Sequence, residues 1–452
     1  MGMNSESSIK FNVIIVGCII LFSIMAGMAT IIQPAAVLFF LAMILAILFF
    51  IKRQEYIVIS LIIINENLLY FIDPQVLFPQ IYDLSLLLGI ISVVLFLFFI
   101  KDILENRFLF GYEIIMLIVV FIISAINSYL SYDQKVTSSL YILMSYFNYL
   151  AYFYFSLVMK EDNNDEKITR FMIITGTVLG MLILLQFFLY GRVQFLSTFA
   201  DFRYGSIRIR SGAALLLLTT LITINSALDT KKRRVLKLIC SGIQAFVVLF
   251  VSKGRLEAIA LIMAVLLLFY LHKNISRFYF VSALVLAACG GICLVLFKWP
   301  NLIDVLFKEE IRGGGSLGAR IDEMKFFING LKDNFIFGKG ILNIAFDEQY
   351  IVSGLKYGYY AVDLGIIGFT YYFGIVGGAL LVILLFKAFL RSIDLYKLNS
   401  TNIFPMVYIL MNIFTLPMIC NMNNSTSILI VIFVLSYIDS SYRKIQLRKD
   451  NK

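Results

Sequence analysis

Basic side chains with the chemistry to bind an anion cluster in three polar segments of this otherwise apolar chain. They are Arg203, Arg208 and Arg210 in residues 191–210, Lys253 and Arg255 in residues 252–255, and Arg320 and Lys325 in residues 298–357. Arginine is always charged, and its paired N–H donors match the oxygens of a phosphate group. Several arginines aimed at a developing negative charge stabilise a transition state, even without a divalent metal. The three segments therefore predict a site for an anionic, phosphate-bearing substrate.

A simpler explanation exists for each of these basic residues taken alone. An arginine near a membrane surface can pair with a lipid phosphate or with a carboxylate such as Asp201 or Glu257. Three separate segments on the same predicted side of the membrane favour a shared anionic ligand over three unrelated pairs.

Carboxylates in the same part of the chain are candidates for a general base. Asp347 and Glu348 lie in the long polar segment, and Asp363 lies at the start of the next apolar stretch. A base within reach of a hydroxyl group can take its proton during group transfer. The alternatives stay open: Asp347 and Glu348 can be ordinary loop charges, and Asp363 can pair with an arginine or cap its helix.

Tyrosines are dense in this region, and two of them are candidates for binding a sugar. Tyr357 and Tyr360 offer aromatic faces on which a sugar ring can stack. Aromatic residues also collect at both interfaces of a membrane, which is the commoner reason for such a cluster.

The composition requires a membrane environment for the elements that position these residues. Of 452 residues, 61% are hydrophobic and 15% are charged, and the mean hydropathy is +0.91. Soluble domains are about 45–50% apolar and about 25% charged, so a water-soluble fold is excluded. The net charge of +10 lies mostly in short connectors, where it determines topology, and we expect no nucleic acid partner.

Apolar stretches separated by charged or Pro/Asn-rich breaks predict an all-α, polytopic bundle of about fourteen transmembrane helices. Their predicted limits are 11–30, 34–51, 56–71, 82–100, 111–130, 141–159, 169–190, 211–228, 235–251, 255–271, 278–297, 358–386, 402–420 and 425–441. Residues 1–297 would hold the first eleven helices, residues 298–357 a large extracytoplasmic loop, and residues 358–452 the last three helices and a basic tail.

The distribution of lysine and arginine predicts the orientation of this bundle. Alternate connectors are rich in basic residues, as at residues 231–237, whereas those at 72–81 and 421–424 contain none. Because basic connectors stay in the cytoplasm, both termini are predicted to be cytoplasmic, in a bacterial cytoplasmic membrane. The three arginine-bearing segments then face outward, against the general rule.

No pattern in the sequence calls for a metal or another cofactor. The five cysteines lie in apolar stretches without a CxxC pair, and the one histidine, His272, ends a predicted helix. A histidine-rich metal site is therefore excluded. The outward segments also lack a pair of closely spaced aspartates of the kind that binds a divalent metal.

An amphipathic helix is predicted within the large loop. Ile321, Met324, Phe327, Ile328 and Leu331 recur at helical spacing, with charged residues between them, and the stretch ends at Gly338-Lys339-Gly340. Such a helix lies in or near the membrane interface.

Four short motifs follow one another in the second half of the chain. They are Arg208-Ile209-Arg210-Ser211-Gly212, then Val251-Ser252-Lys253-Gly254-Arg255, then Arg320…Phe326…Gly330…Asn334-Phe335-Ile336-Phe337-Gly338-Lys339-Gly340, and finally Tyr360-Ala361-Val362-Asp363-Leu364-Gly365-Ile366-Ile367-Gly368. Over roughly residues 190–380 they resemble the O-antigen polymerase and O-antigen ligase superfamily. Ligases of that family have a histidine shortly before the last motif, and residues 353–359 contain none.

The resemblance implies a membrane glycosyltransferase that uses a polyprenyl-diphosphate-linked oligosaccharide. Without the histidine, polymerisation of undecaprenyl-diphosphate-linked repeat units into capsule, O-antigen or exopolysaccharide is the favoured activity. Its expected partners are this lipid-linked donor, membrane lipid and a chain-length regulator protein, with no cofactor. Ligase-type transfer to another acceptor and a lipid-linked oligosaccharide flippase remain the alternatives.

The reaction assigns a role to each candidate residue. Arg210, Arg255 and Arg320 would stabilise the diphosphate leaving group, with Asp363 or Glu348 as general base. The expected substrate-binding residues are Arg203, Arg208, Lys253, Lys325, Tyr357 and Tyr360.

Overall fold

The computed structural model describes residues 54–71, 73, 84–161, 163–198, 200–203, 206–273, 316–344, 346–398 and 402–450. The predicted helices at 11–30, 34–51 and 278–297 and the loop residues 298–315 lie outside the described residues. The structure is mostly helical, with 78% helix and 2% strand.

Fifteen α-helices and one hairpin make up the described part of the chain. They are α1 (Gln54–Asn65), α2 (Ser85–Phe98), α3 (Ile100–Glu105), α4 (Gly111–Tyr132), α5 (Val136–Tyr146), α6 (Ala151–Lys160), α7 (Asn164–Leu189), β1 (Ala200–Arg203), β2 (Ser206–Ile209), α8 (Ala213–Asp229), α9 (Arg234–Phe246), α10 (Arg255–Leu271), α11 (Ser316–Leu331), α12 (Asp347–Val352), α13 (Gly365–Leu398), α14 (Phe404–Thr415) and α15 (Ser425–Asp450).

Six helical segments of the described residues are long and apolar enough to cross a membrane. They are Gly111–Tyr132, Val136–Lys160, Asn164–Leu189, Arg234–Val251, Ala361–Leu398 and Ser425–Gln446. Four shorter helices, α1, α2, α8 and α14, are also apolar. The chain is therefore a helical membrane protein, and the count of fourteen spans stays a prediction.

Buried polar groups bind α6 to α15 in the core of the bundle. The hydroxyl group of Tyr152 donates a hydrogen bond to Oδ2 of Asp439 at 2.8 Å, and both side chains are buried. Arg443, one turn along α15, donates from Nε and Nη2 to the two oxygens of Asp439, each at 2.8 Å. In a membrane bundle such hydrogen bonds add to the packing that holds helices together.

The long helix α13 is broken at Gly374, whose φ of 69° and ψ of 179° are not helical. The loop segment 335–340 lies against the break and pairs with its backbone: Lys339 donates its N–H to the oxygen of Tyr371 at 2.8 Å, and Ile375 donates to the oxygen of Phe335 at 2.9 Å. A helix break at membrane depth frees polar backbone groups that need partners. The loop segment supplies those partners.

Glycine is required at both sides of this contact. Gly338 has a φ of +72°, and a Cβ there would lie 2.6 Å from the oxygen of Tyr372, while a Cβ at Gly374 would overlap the oxygen of Ile336. The Gly338-Lys339-Gly340 motif is therefore a backbone contact that fixes the large loop to α13.

The helix in the large loop is confirmed as α11, but its apolar face is divided. Phe327 is fully buried, with its ring centroid 4.8 Å from that of Tyr371 in α13. Ile321, Met324 and Ile328 remain exposed. Gly330 allows the close approach, since a Cβ there would lie 2.8 Å from the ring of Tyr371. One side of α11 therefore packs on protein, and the Ile321 side faces outward from it.

A short antiparallel hairpin departs from the all-α prediction. Strand β1 pairs with β2 so that Asp201 lies opposite Arg208. The segment alternates apolar and charged residues, a period of two that is typical of a strand. It was not predicted as a strand because it lies between two predicted transmembrane helices.

Connectors that were predicted to face outward contact one another at one end of the bundle. Gln134, in the connector before α5, donates from Nε2 to the oxygen of Ile341 in the large loop at 2.9 Å. Ser197 lies in the segment before β1, and its N–H donates to the main-chain oxygen of Tyr70 at 2.7 Å. Tyr70 lies in the turn after α1.

Basic connectors meet at the other end. Lys167 of α7 lies 3.1 Å from Glu55 of α1, and Lys444 of α15 lies 2.9 Å from Asp165 of α7. The two classes of connector are thus separated in space.

Candidate functional site

A cavity of about 450 Å³ opens among the connectors at the end of the bundle where Tyr70 and Ser197 meet. Drug-sized ligands occupy cavities of roughly 300–1,000 Å³. Its polar and charged lining residues are Glu66, Asn67, Tyr70, Arg210, Ser211, Glu257, Asp363, Tyr408, Thr415, Asn421, Asn424, Thr426 and Ser427. They come from turns and helix ends that are far apart in the sequence.

Arg210 reaches the cavity from the segment between β2 and α8. Its side chain is 54% exposed, and Nη2 lies 3.3 Å from Oδ2 of Asp201. Arg208 approaches the same carboxylate, with Nε 3.8 Å from Oδ1, and it is buried. Pairing with Asp201 therefore occurs, as the simpler explanation expects. Two guanidinium groups share this one carboxylate, so the hairpin keeps a net positive charge.

Asp363 also lines the cavity, from the 3₁₀ turn Ala361–Leu364 that precedes α13. Its Oδ2 lies 3.2 Å from Nη2 of Arg320, and its main-chain oxygen accepts a further hydrogen bond from Nη1 of the same arginine. Asp363 and Arg320 were both expected in catalytic roles, and each is the other's partner. Arg320 is not among the lining residues, and it is linked to the cavity by its contacts with Asp363.

Glu323, one turn along α11 from Arg320, is buried beside this pair. Burial raises the pKa of the Glu323 carboxyl above its ordinary value, and the positive charge of Arg320 and the N–H of Tyr360 limit the rise. No hydrogen bond to its Oε2 is described. The sequence pattern had placed Glu323 on the polar face, because helical spacing alone does not reveal the packing of α11 on α13.

The turn before α10 places Arg255 and Lys253 beside the cavity wall and not on it. Arg255 is exposed, while Glu257, two residues later, lines the cavity. Lys253 has a φ of 49°, in the left-handed region. The structure thus brings Arg210 and Asp363 together but leaves Arg255 outside the lining.

The remaining predicted residues also lie outside the cavity lining. Glu348 and Asp347 are exposed on α12, and Lys325 is exposed and lies 3.2 Å from Asp322. Tyr357 and Tyr360 are about half exposed. The side chain of Arg203 lies outside the described part of the structure.

Glu66 is a cavity residue that none of the sequence motifs contains. Its carboxylate is buried, and Oε2 accepts a 2.6 Å hydrogen bond from the hydroxyl group of Tyr70. The hydroxyl oxygen of Tyr70 in turn accepts a hydrogen bond from the N–H of Gly212 at 2.7 Å. Glu66 fell inside the predicted helix 56–71, where a lone carboxylate in an apolar stretch was itself a signal of function.

The turn that carries Glu66 has an unusual backbone. After α1 ends at Asn65, four successive residues from Asn67 to Tyr70 have φ between 47° and 63°. The left-handed conformation costs roughly 1–2 kcal/mol for each such residue. It is held by tertiary contacts, among them a 3.2 Å hydrogen bond from the N–H of Leu84 to the side-chain oxygen of Asn67. Strain of this kind collects at functional sites.

Two helices begin at the cavity and add positive potential to it. Helix α8 starts after Gly212, which has a φ of +74°, and helix α15 starts after Asn424, whose Oδ1 accepts a hydrogen bond from the N–H of Thr426 at 3.3 Å. Residues of both first turns line the cavity. Unpaired N–H groups and the helix dipole favour an anion at such positions.

Neutral polar groups complete the lining near α14. The hydroxyl group of Tyr408 is buried without a hydrogen-bond partner among the described residues. Asn421 donates from Nδ2 to the side-chain oxygen of Asn412 at 2.8 Å. A second cavity of about 250 Å³ shares Val362 and Asn424 with the first. Amide and hydroxyl groups in this arrangement suit the hydroxyl groups of a sugar.

The described residues contain no group of three or more His, Cys, Asp or Glu side chains that is suited to a metal ion. No family model matches the chain, and no curated protein matches it.

Proposed function

We propose that this protein is a membrane glycosyltransferase that polymerises polyprenyl-diphosphate-linked oligosaccharide repeat units into capsule, O-antigen or exopolysaccharide. The reaction would take place at the outer face of a bacterial cytoplasmic membrane. The observation that carries the proposal is the cavity of about 450 Å³ in which Arg210 and Asp363 lie together with the first turns of α8 and α15.

The orientation of the bundle supports an outward site. Lys167 and Lys444 lie at the end opposite the cavity, together with other basic connectors that the positive-inside rule assigns to the cytoplasm. The cavity then opens at the outer face, where lipid-linked repeat units are presented.

The anion-binding part of the cavity, at Arg210 and the N-terminus of α8, suits a diphosphate leaving group. As the glycosidic bond breaks, negative charge grows on the diphosphate, and Arg210 and the N-terminus of α8 are placed to stabilise it. The pair between Arg210 and Asp201 is partly exposed at 3.3 Å, so a diphosphate with more charge can displace the carboxylate.

The neutral part of the cavity suits the glycan. Asn67, Tyr408, Asn421 and Asn424 offer amide and hydroxyl groups in the same cavity as the anion-binding part. A site for a diphosphate-linked sugar needs these two parts side by side.

A flippase for the same lipid-linked substrate is a second candidate. Helix α14 has 12 residues and is about 18 Å long, shorter than the roughly 30 Å apolar core of a bilayer. The turn that follows it lines the cavity. Transporters bind substrates at interrupted helices of this kind.

The two candidates are separated by an assay on purified protein in proteoliposomes supplied with polyprenyl-diphosphate-linked repeat units. We expect longer glycan chains to form, and we expect Arg210→Ala to lower the rate of elongation on the order of 10²–10³-fold. Arg210→Lys should restore little, because an ammonium group does not bind a diphosphate through two parallel donors.

Arg192→Ala is the matched control, since Arg192 is an exposed arginine of the same segment that does not line the cavity. Transfer of the lipid across the bilayer without elongation of the glycan would contradict the glycosyltransferase function and support the flippase. Normal elongation by Arg210→Ala would remove the proposed site.

A further inference from the structure

Glu66 is a buried carboxylate on the wall of the cavity, with 2% of its surface exposed. It follows a long apolar stretch, Tyr56 to Ile64, that packs in the core. Burial of an ionisable side chain is costly unless its partners compensate. A carboxylate kept at such a position is a candidate for chemistry on the ligand in the cavity.

Two hydrogen bonds of the Tyr70 hydroxyl group link Glu66 to the start of α8. The hydroxyl oxygen of Tyr70 accepts from the N–H of Gly212 at 2.7 Å. The hydroxyl group donates to Oε2 of Glu66 at 2.6 Å. Glu66 Oε2 is therefore an acceptor, as a base requires, and Tyr70 orients it.

The same contact couples Glu66 to the anion-binding part of the cavity. Gly212 stands two residues after Arg210 and directly precedes α8. The backbone that presents Arg210 to a diphosphate therefore also positions Tyr70 and, through it, Glu66. A hydroxyl acceptor and a diphosphate donor would be held by two segments that this hydrogen bond joins.

Two other carboxylates that line the cavity, Asp363 and Glu257, are engaged by their own neighbours. Asp363 forms an ion pair with Arg320 at 3.2 Å. Glu257 folds back over the start of its own helix, since a Cβ at Gly254 would overlap its Oε2. Glu348 does not line the cavity.

We infer that Glu66 is the general base of the proposed reaction and that Tyr70 is its positioning residue; this inference rests on the proposed function. Glu66 takes the proton of the acceptor hydroxyl group as the acceptor oxygen forms a bond to C1 of the donor sugar. The bond between C1 and the diphosphate oxygen breaks, and its electron pair leaves on the polyprenyl diphosphate beside Arg210. The protonated Glu66 then releases its proton to water.

The test uses the full chain in nanodiscs with polyprenyl-diphosphate-linked repeat units, and measures kcat, KM and, separately, binding of polyprenyl diphosphate alone. Glu66→Gln should lower kcat by roughly 10²–10⁴-fold, with binding of polyprenyl diphosphate unchanged within about twofold. Tyr70→Phe should lower kcat about tenfold at a similar KM.

Glu55→Gln is the matched control, because Glu55 is a buried carboxylate near the start of α1, at the end of the bundle opposite Glu66. It should keep the wild-type kcat. Wild-type kcat in Glu66→Gln, or loss of binding together with kcat, would overturn the inference. If Glu66→Gln fails to fold, full kcat in Tyr70→Phe overturns it instead. Absence of elongation by the wild-type protein would reject the proposed function itself, which separates the two failures.

Discussion

Arg320 of α11 and Asp363 of the turn before α13 form an ion pair, with Nη2 3.2 Å from Oδ2. The pair joins the helix of the large loop to the wall of the cavity. Its members are 30% and 49% exposed, so water can compete for both. The positive charge of Arg320 therefore offsets the negative charge of the Asp363 carboxylate at the cavity wall.

Removal of Arg320 should weaken substrate binding more than it weakens the fold. In Arg320→Ala, the carboxylate of Asp363 faces the cavity without its cation and repels a diphosphate, so KM for the lipid-linked substrate should rise. The free energy of unfolding should fall by about 0.2–1 kcal/mol, as for a partly exposed pair. Kinetics with lipid-linked repeat units measure the first effect, and thermal unfolding in detergent measures the second.

The charge-neutral partner variant tests the direction of this effect. Asp363→Asn removes the repulsion, so the double variant Arg320→Ala/Asp363→Asn should regain a KM close to that of the wild type. An equal rise of KM in the single and the double variant would contradict the electrostatic explanation.

Substitution at Gly338 should loosen the large loop from α13. Gly338→Ala strains a backbone with a φ of +72° and also overlaps the backbone of Tyr372, so we expect it to lower the free energy of unfolding by more than about 1 kcal/mol. Gly358→Ala is the matched control, since Gly358 has a φ of +73° and nothing within 4 Å of an added Cβ. Thermal unfolding of both variants in detergent compares the two losses of stability. Equal losses would mean that the contact between Gly338 and the backbone of α13 adds nothing to the cost of the strained φ.

Glu323 should make the stability of α11 depend on pH. Because burial raises its pKa in the folded state, its neutral form is the favoured one, and the stability it contributes at low pH is lost as pH rises through the folded pKa. Charged groups that face it are Arg320 and Asp363. Glu323→Gln lacks this loss, so its melting temperature should gain on the wild type as pH rises above about 4.5, the ordinary pKa of a glutamate carboxyl.

Melting temperatures in detergent at several pH values measure the difference between Glu323→Gln and the wild type. Asp322→Asn serves as the control, because Asp322 is exposed on the other face of α11. A constant difference across this range would show that Glu323 ionises as it does in the unfolded chain.

The pair between Asp439 and Arg443 should contribute strongly to stability. Arg443→Ala leaves a buried carboxylate without its cation, which costs about 3–5 kcal/mol. Lys444→Ala removes a neighbouring basic residue whose pair with Asp165 is more exposed, and it should cost no more than about 1 kcal/mol. Urea or thermal unfolding in a mild detergent gives the two values, and similar losses would argue against a buried network at Asp439.

Apolar stretches predict the helices well where polar or glycine-containing segments mark both ends of the stretch. The predicted helix 255–271 is observed as Arg255–Leu271, and 111–130 as Gly111–Tyr132. The 3₁₀ turn Phe147–Leu150 between α5 and α6 and the break at Gly374 were not predicted, because apolar periodicity alone does not show where a helix changes its backbone geometry. The left-handed turn after Asn65 was not predicted either, since distant hydrogen bonds hold its strained backbone.

The candidate site was predicted in part. Arg210 and Asp363 do meet at one cavity, whereas Arg255 lies outside its lining. Residue types and spacing identified the charged groups, but the pairing of Arg320 with Asp363 depends on how α11 packs on α13. Glu66 was not predicted as a site residue because it lies near the end of an apolar stretch, and such a stretch is recognised by its apolar residues and not by a single carboxylate.

The break at Gly374 also bears on how the protein is made. Residues 335–340 leave the ribosome before α13 does, so the segment that pairs with the break is synthesised before the helix that contains it. The peptide groups that the break frees need partners, and this earlier segment is available to supply them as α13 forms. The order of synthesis therefore matches the order in which the contact can form.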